Sequence, residues 1–328
     1  MDLDPEQVAL RDSVRAFLAD PGYSWARLTG ELGLTALAVP EEFGGFGASL
    51  VEAGIALEEA GAALLAAPLL STVAAAAALD PARSAAADLL PRLAAGETIA
   101  ALALGGSCTA RPGGGAYVLD GVVEHVLDGD AADVFLVAAG ADLYLVRECE
   151  VRPQPTLDQT RGQATLTLTG APADLAAAGG AAHALDLLHA ALAAESVGVA
   201  RAALALAVEH LRTRRQFGVP LATFQALRHR VADLHVLLEQ ATSTVWYTLR
   251  AAGTDEFPVA APLAKLTATE AAYTVTRAAI QLLGGIGFTW EHPAHRYLKR
   301  ATANRLLALD PVALRRLLLA RAGLGGGR

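Results

Sequence analysis

Apolar residues recur along the chain with two different periods, and the changes of period divide it into three segments. Over residues 1–95 the period is helical. Leu10, Val14, Phe17 and Leu18 fall at i, i+4, i+7 and i+8, one stripe on one helix. Asp4-Pro5-Glu6 opens that helix, with proline in the first turn and acids at the positive end of the dipole. A Pro/Gly-rich loop, Leu37–Gly47, follows; Ser49 is then placed as an N-cap, with Glu52 three residues on, at the head of a second amphipathic run. From 96 to 176 the texture becomes that of strands. Gly113-Gly114-Gly115, Asp120-Gly121 and Asp128-Gly129 punctuate short runs of Val, Leu and Tyr. Residues 134–139 and 143–146 read as buried strands, and Thr165–Thr169 alternates, so a small antiparallel barrel or sandwich is expected. From 177 the helical period returns in stretches at 183–212, 223–251, 258–283 and 303–322, the pattern of four long antiparallel helices with short connections. The expected fold is mainly α with a central β domain. It comprises an N-terminal helical domain (1–95), a middle β domain (96–176) and a C-terminal four-helix bundle (177–328). The tail Gly323–Arg328 has four glycines in six residues and is expected to fray.

Composition narrows the class. With 53% hydrophobic and 18% charged residues, the 328-residue chain is neither disordered nor fibrous. Its formal charge of −8 and the absence of any Lys/Arg run longer than a pair argue against a nucleic-acid groove or a membrane-surface patch. Ala60–Leu79 is twenty residues without a charge, long enough to cross a bilayer. It is mostly alanine, is interrupted by Pro68 and lacks anchoring basic flanks, so it reads as two small-residue helices in a core. Cys108 and Cys149 are too far apart for a CxxC motif, and no secretory leader is apparent, so a reducing cytoplasm is expected.

The general catalytic motifs are missing: the sequence contains no GxxxxGK[ST], no GxGxxG after a strand, no GxSxG and no HExxH. His292 and His295 are separated by Pro293, with no acid or cysteine cluster to complete a site, and no metal is expected. Two segments are far more specific. One is RRQFGVPLATFQ, from Arg214 to Gln225; the other is QLLGGIGF, from Gln281 to Phe288. Together with VPEEFGGFG, from Val39 to Gly47, they resemble the acyl-CoA dehydrogenase family. The helical, β, helical order is similar to that family's as well, so the resemblance spans nearly the whole chain.

The resemblance implies FAD as cofactor, an acyl-CoA thioester as substrate and α,β-dehydrogenation as reaction. Electrons would pass to an electron-transferring flavoprotein or a similar acceptor. By resemblance, Arg214 takes the flavin pyrophosphate, for which its planar fork of donors is suited. Gln216, Phe217 and Gln225 lie beside it, and Gln281, Gly284 and Gly285 meet the adenosine end. Taken alone, Arg214 and Arg215 would read as cations at a helix C-terminus, favoured by the dipole.

The departures from the family pattern are equally informative. Where relatives carry T-E-P-x-A-G-S-D this chain reads Ala103–Ala110, without the acid, the proline or the closing Ser-Asp. Where they carry W-I-T or W-I-S facing the flavin, it places His125 and Leu127, and leucine donates no hydrogen bond. The family's base is a glutamate in a Y-E-G-T segment; the equivalent Leu306–Pro311 offers only Asp310. The position at which some relatives carry the base instead is Leu188. Glu195 is the best remaining carboxylate, on the inward stripe Leu188, Leu192, Glu195, Val199. Apolar surroundings would raise its pKa toward the range of a general base, the alternative role being a buried glutamate paired with an arginine. The chain thus keeps the parts that family members give to a neighbour's flavin and lacks those used for their own. The resemblance is to the short subunits of heteromeric enzymes acting on steroid side-chain CoA thioesters, which implies a complementing subunit of an α2β2 assembly with a second acyl-CoA dehydrogenase subunit. Two alternatives stand beside it: a complete homomeric enzyme using Glu195 or Asp310, and a catalytically silent structural or binding homologue.

Overall fold

Asp4 heads the first helix through its side chain, which accepts from the Gln7 amide at 2.8 Å while Gln7 reaches back to the Asp4 amide at 3.3 Å. The computed structural model describes residues 3–113 and 116–324; residues 1–2, Gly114, Gly115 and 325–328 lie outside the described residues. The first segment is helical, as its period predicts: α1 (Pro5–Leu18), α2 (Trp25–Gly30), α3 (Leu50–Ala62), α4 (Leu69–Ala78) and α5 (Ser84–Ala94). Ser49 caps the start of α3 by accepting from the Val51 amide, and Glu52 accepts from the Ser49 amide. The uncharged stretch 60–79 is divided, with α3 ending at Ala62 and Pro68 preceding a largely buried α4.

Contacts gather into two compact units, one of Met1–Ala19, Leu57–Leu65 and Leu192–Arg328, the other of Asp20–Ala56 and Ala66–Ala191. The second unit holds the strands β1 (Ala100–Ala103), β2 (Thr109–Gly113), β3 (Ala116–Leu127), β4 (Val134–Ala139), β5 (Asp142–Val146), β6 (Glu150–Pro153) and β7 (Gln163–Ala177). They form one sheet in the order β1-β4-β5-β7-β3-β2, with β6 also on β7. Leu119, Val123, Val126, Phe135, Val137 and Tyr144 are among the residues of its core. Pairing is antiparallel except between β1 and β4, which run parallel and so depart from the all-antiparallel expectation. A parallel pair needs a long connection, and the β2–β3 hairpin supplies it. Between Val123 and Val126 the ladder slips at a bulge where His125 takes φ 58°.

The first unit contains most of α6 (Ala181–Thr213), then a two-stranded ribbon, β8 (Arg215–Gln216) and β9 (Val219–Pro220), and the helices α7 (Gln225–Arg250), α8 (Phe257–Leu283), α9 (Ala294–Leu306) and α10 (Pro311–Arg321). α7 packs on α8, and α8 on α9 and α10. α6 is long and apolar enough to cross a membrane, but 72% of its most apolar stretch is buried inside the protein, the character of a core helix. The expected last helix at 303–322 is two helices. Ala308 and Leu309 take left-handed φ of 48° and 83°, and Pro311 has no N–H to continue a ladder from α9.

Candidate functional site

The segment from Arg214 to Gln225 starts where α6 stops. Phe217 and Gly218 occupy the ribbon's tip with φ of 52° and 80°, the consecutive left-handed pair of a tight hairpin turn. This turn lifts Phe217 into solvent, 90% exposed, with its ring edge-on to Phe224 at 6.0 Å. Arg215 donates to the Gly218 carbonyl at 3.1 Å. Arg214, Gln216 and Gln225 are exposed, and among the described residues no carboxylate is paired with Arg214. The second motif is the end of α8. Gln281 is exposed and its carbonyl accepts from the amide of Gly284, which turns the chain with φ 66°. A Cβ built on Gly284 or Gly285 would meet nothing within 4 Å, so packing inside this chain does not require the openness of Gly285. Phe288 and Trp290, each 74% exposed, continue this surface, with Lys299 lying over the Trp290 ring at 4.7 Å. The two motifs approach one another around His210 in the last turn of α6. Its pKa is lowered by burial and further by the charges of Arg214 and of His292, which follows the Gly-Gly turn.

Glu195 lies in the buried part of α6, 3% exposed. Its Oε1 accepts from Arg300 Nη1 at 2.6 Å and its Oε2 from Asn304 Nδ2 at 2.8 Å. Arg300, fully buried on α9, also donates to the Leu65 carbonyl at 3.1 Å, and Asn304 donates to Ser196 Oγ at 3.1 Å. α3 and α6 come together here on two glycines. A Cβ on Gly61 would stand 2.1 Å from the Glu195 carbonyl oxygen, and one on Gly198 1.8 Å from that of Glu58. One turn further along, Arg201 pairs with Glu58 at 3.0 Å and with Glu59 at 2.7 Å, and Arg15 adds a second cation to Glu59 at 2.9 Å. Sequence reasoning misses Arg300 and Asn304. Their signal is an i, i+4 polar pair on a single helix face, which a solvent-facing stripe would show equally.

Asp310 is the N-cap of α10. Its carboxylate accepts from the Ala313 and Val312 amides at 2.9 and 2.8 Å, and these bonds hold its pKa below the ordinary carboxylate range. Beside it, Lys265 of α8 is wholly buried and donates to the Leu309 carbonyl at 2.6 Å. Burial pushes the Lys265 amine down to about 7, against the opposing pull of Asp310. The unfolded chain therefore holds this proton to higher pH than the folded one, and stability should rise with pH from 7 towards 10. The slope expected is about 1.4 kcal/mol per pH unit. Urea unfolding at a series of pH values should show this rise in the parent chain and lose it in Lys265→Met.

In the sheet, the two positions that the resemblance sets against flavin-facing residues differ in exposure. His125 is exposed on its bulge, whereas Leu127 is 5% exposed and turned into the protein. Ala103 is buried at the end of β1, and Gly105, Gly106 and Ser107 form an exposed turn.

Comparison with known proteins gives a consistent result. The acyl-CoA dehydrogenase N-terminal domain matches residues 4–97 and the acyl-CoA dehydrogenase C-terminal domain residues 179–308. Acyl-CoA dehydrogenase IpdE2 of Mycobacterium tuberculosis is 38% identical over 310 residues, covering 93% of this chain and 90% of that protein. Among solved structures, a variant of the Tcur3481-Tcur3483 steroid ACAD superposes with TM-score 0.91 and 29% identity over 98% of both chains. The ChsE4-ChsE5 complex from Mycobacterium tuberculosis gives 0.88 at 25% identity over 100% of both.

Proposed function

The chain belongs to the acyl-CoA dehydrogenase family, and we propose that it is the complementing subunit of an FAD-dependent heteromer, α2β2, in which a second acyl-CoA dehydrogenase subunit supplies the base and the ring pocket. The observation that carries this reading is the unequal state of the motifs. Those for the adenosine and pyrophosphate end face outward, unpaired with carboxylates and unobstructed, while the carboxylates that could serve as base are occupied. Arg214 offers a guanidinium fork for a pyrophosphate, and the open backbone at Gly284 and Gly285 with the Gln281 side chain offers close approach to an adenosine, so these residues fit that half of FAD. When bound, FAD supplies the acceptor for the hydride that leaves the β-carbon. This chain's part is to bind and orient it through Arg214, Gln216, Phe217, Gln225, Gln281, Gly284 and Gly285.

Glu195 already accepts from two buried donors, and Asp310 from two backbone amides. Both oxygens of Glu195 are engaged by buried donors, and the two amide bonds to Asp310 Oδ1 lower that carboxylate's affinity for a proton, so neither is poised to take the α-proton and we assign the base to the partner. The substrate is an acyl-CoA thioester with a steroid-derived acyl group, a reading supported by the steroid ACAD similarity. An electron-transferring flavoprotein or similar protein is the acceptor, and the cytoplasm the setting.

Producing the chain alone, and then together with a full-length acyl-CoA dehydrogenase from the same genome, tests the proposal by flavin absorbance and native mass. A colourless chain alone and a yellow mixed assembly are expected, with flavin lost from the mixture when this chain carries Arg214→Ala. A yellow homomer that an acyl-CoA reduces would overturn it and return the base to Glu195 or Asp310.

A further inference from the structure

His210 and Arg214 stand one helical turn apart at the end of α6, and the Arg214 amide donates to the His210 carbonyl at 2.8 Å. His210 is half-buried, and the turn after Gly284 and Gly285 brings half-buried His292 close enough for its charge to act on it. Among the described residues the charges that act on His210 are those of Arg214 and His292; both oppose its protonation, and no carboxylate offsets them. Glu209, the next residue on α6, is exposed, and Glu291 is held by its own amide and by Thr289. Two imidazoles and a guanidinium therefore gather between the two motifs without an acid to neutralise them.

The two histidines are not equivalent. His292 Nδ1 accepts from the Ala294 amide at 3.2 Å, at the start of α9. That bond places the ring proton on Nε2 and leaves an N–H to donate. Protonating Nδ1 would break it and set a cation at the positive end of the α9 dipole. His210 lies in the last turn of α6, at the negative end of a dipole, where a cation is favoured. What holds it neutral is burial, with Arg214 and His292 beside it. A bound anion at Arg214 would reverse that balance. We infer that His210 and His292 complete an anion site with Arg214, His292 as a neutral N–H donor and His210 as a group that takes up a proton when a pyrophosphate arrives. The inference rests on Arg214 being the pyrophosphate residue. Linkage makes the effect reciprocal: the pyrophosphate binds most tightly where His210 is charged, and loses affinity as the pH rises through the midpoint of the bound state.

ADP carries the adenosine and pyrophosphate of FAD without the flavin, so the chain can be probed by itself. Histidine ring resonances of the full chain would be followed by NMR from pH 5 to 9, with and without ADP, and the His210 signal identified by its loss in His210→Gln. Saturating ADP should raise the His210 midpoint by about one pH unit, and ADP should bind about tenfold more tightly at pH 6 than at pH 8. His210→Gln should flatten that pH dependence. His292→Phe should weaken ADP several-fold at every pH while leaving the dependence in place, and adenosine should move neither ring. A His210 midpoint that ADP does not move, or a pH dependence that survives in His210→Gln, would overturn the inference. In the mixed assembly, flavin released on dilution should rise from pH 6 to pH 8 in the parent and not in His210→Gln; equal release from both would overturn it as well. Flavin lost with Arg214→Ala but indifferent to His210 would sink this inference and leave the complementing-subunit reading standing. ADP that moves His210 in the lone chain, beside an assembly that keeps its flavin without Arg214, would do the reverse.

Discussion

Glu195→Ala is expected to destabilise the chain by about 3–5 kcal/mol, the loss typical of stripping a buried charge of its counter-ion. The substitution removes the carboxylate to which fully buried Arg300 donates at 2.6 Å and the acceptor that orients Asn304 at 2.8 Å. Arg300 also holds the carbonyl of Leu65 beyond the end of α3, so the damage should extend from α6 and α9 to that segment. Glu195→Gln keeps the shape and an acceptor and should lose less. Urea unfolding at neutral pH measures both variants, and a loss below about 1 kcal/mol for the alanine variant would show that the pair is not a net support of the fold. The glutamine variant also separates structure from chemistry. If Glu195 is a counter-ion, a folded Glu195→Gln chain should leave turnover of the assembled enzyme and its pH profile nearly unchanged.

Gly198→Ala should cost about 3 kcal/mol or more, a large effect for one methyl group. The added Cβ would lie 1.8 Å from the Glu58 carbonyl oxygen, and no rotamer change can relieve a clash with backbone. α3 and α6 would have to separate, loosening the contacts of Arg201 with Glu58 and Glu59 at the same crossing. Gly61→Ala approaches the same crossing from the other helix, 2.1 Å from the Glu195 carbonyl oxygen. Since one separation of the helices relieves both clashes, the double variant should cost less than the sum of the singles. Thermal melts of the three variants would show this coupling. A Gly198→Ala chain that melts with the parent would mean that the crossing has slack.

The order of secondary structure is legible because each segment keeps one hydrophobic period for long enough to be read. Asp4 and Ser49 carry their start signals locally, and the structure realises both. What local pattern does not convey is partnership between distant segments. β1 offers four apolar residues and nothing that specifies a parallel neighbour thirty-odd positions on, so its pairing with β4 cannot be read from them. The break between α9 and α10 has a signal in Pro311, but the left-handed pair Ala308-Leu309 has no glycine to announce it. The site divides in the same way. The Arg214 and Gly284 motifs are contiguous words and can be recognised; the set Glu195, Ser196, Arg300 and Asn304 is assembled from α6 and α9, more than a hundred residues apart.

Gly285 sits in open space, with nothing in its own chain for a side chain to strike. A screen that ranks substitutions by folding or abundance of the isolated protein would score it as freely replaceable. If the open backbone there is shaped to receive a bound cofactor, such a score is misleading. The harm of a replacement would be invisible in any assay of the lone chain and would emerge only in the finished enzyme, so variants at this turn must be interpreted at the level of the complex.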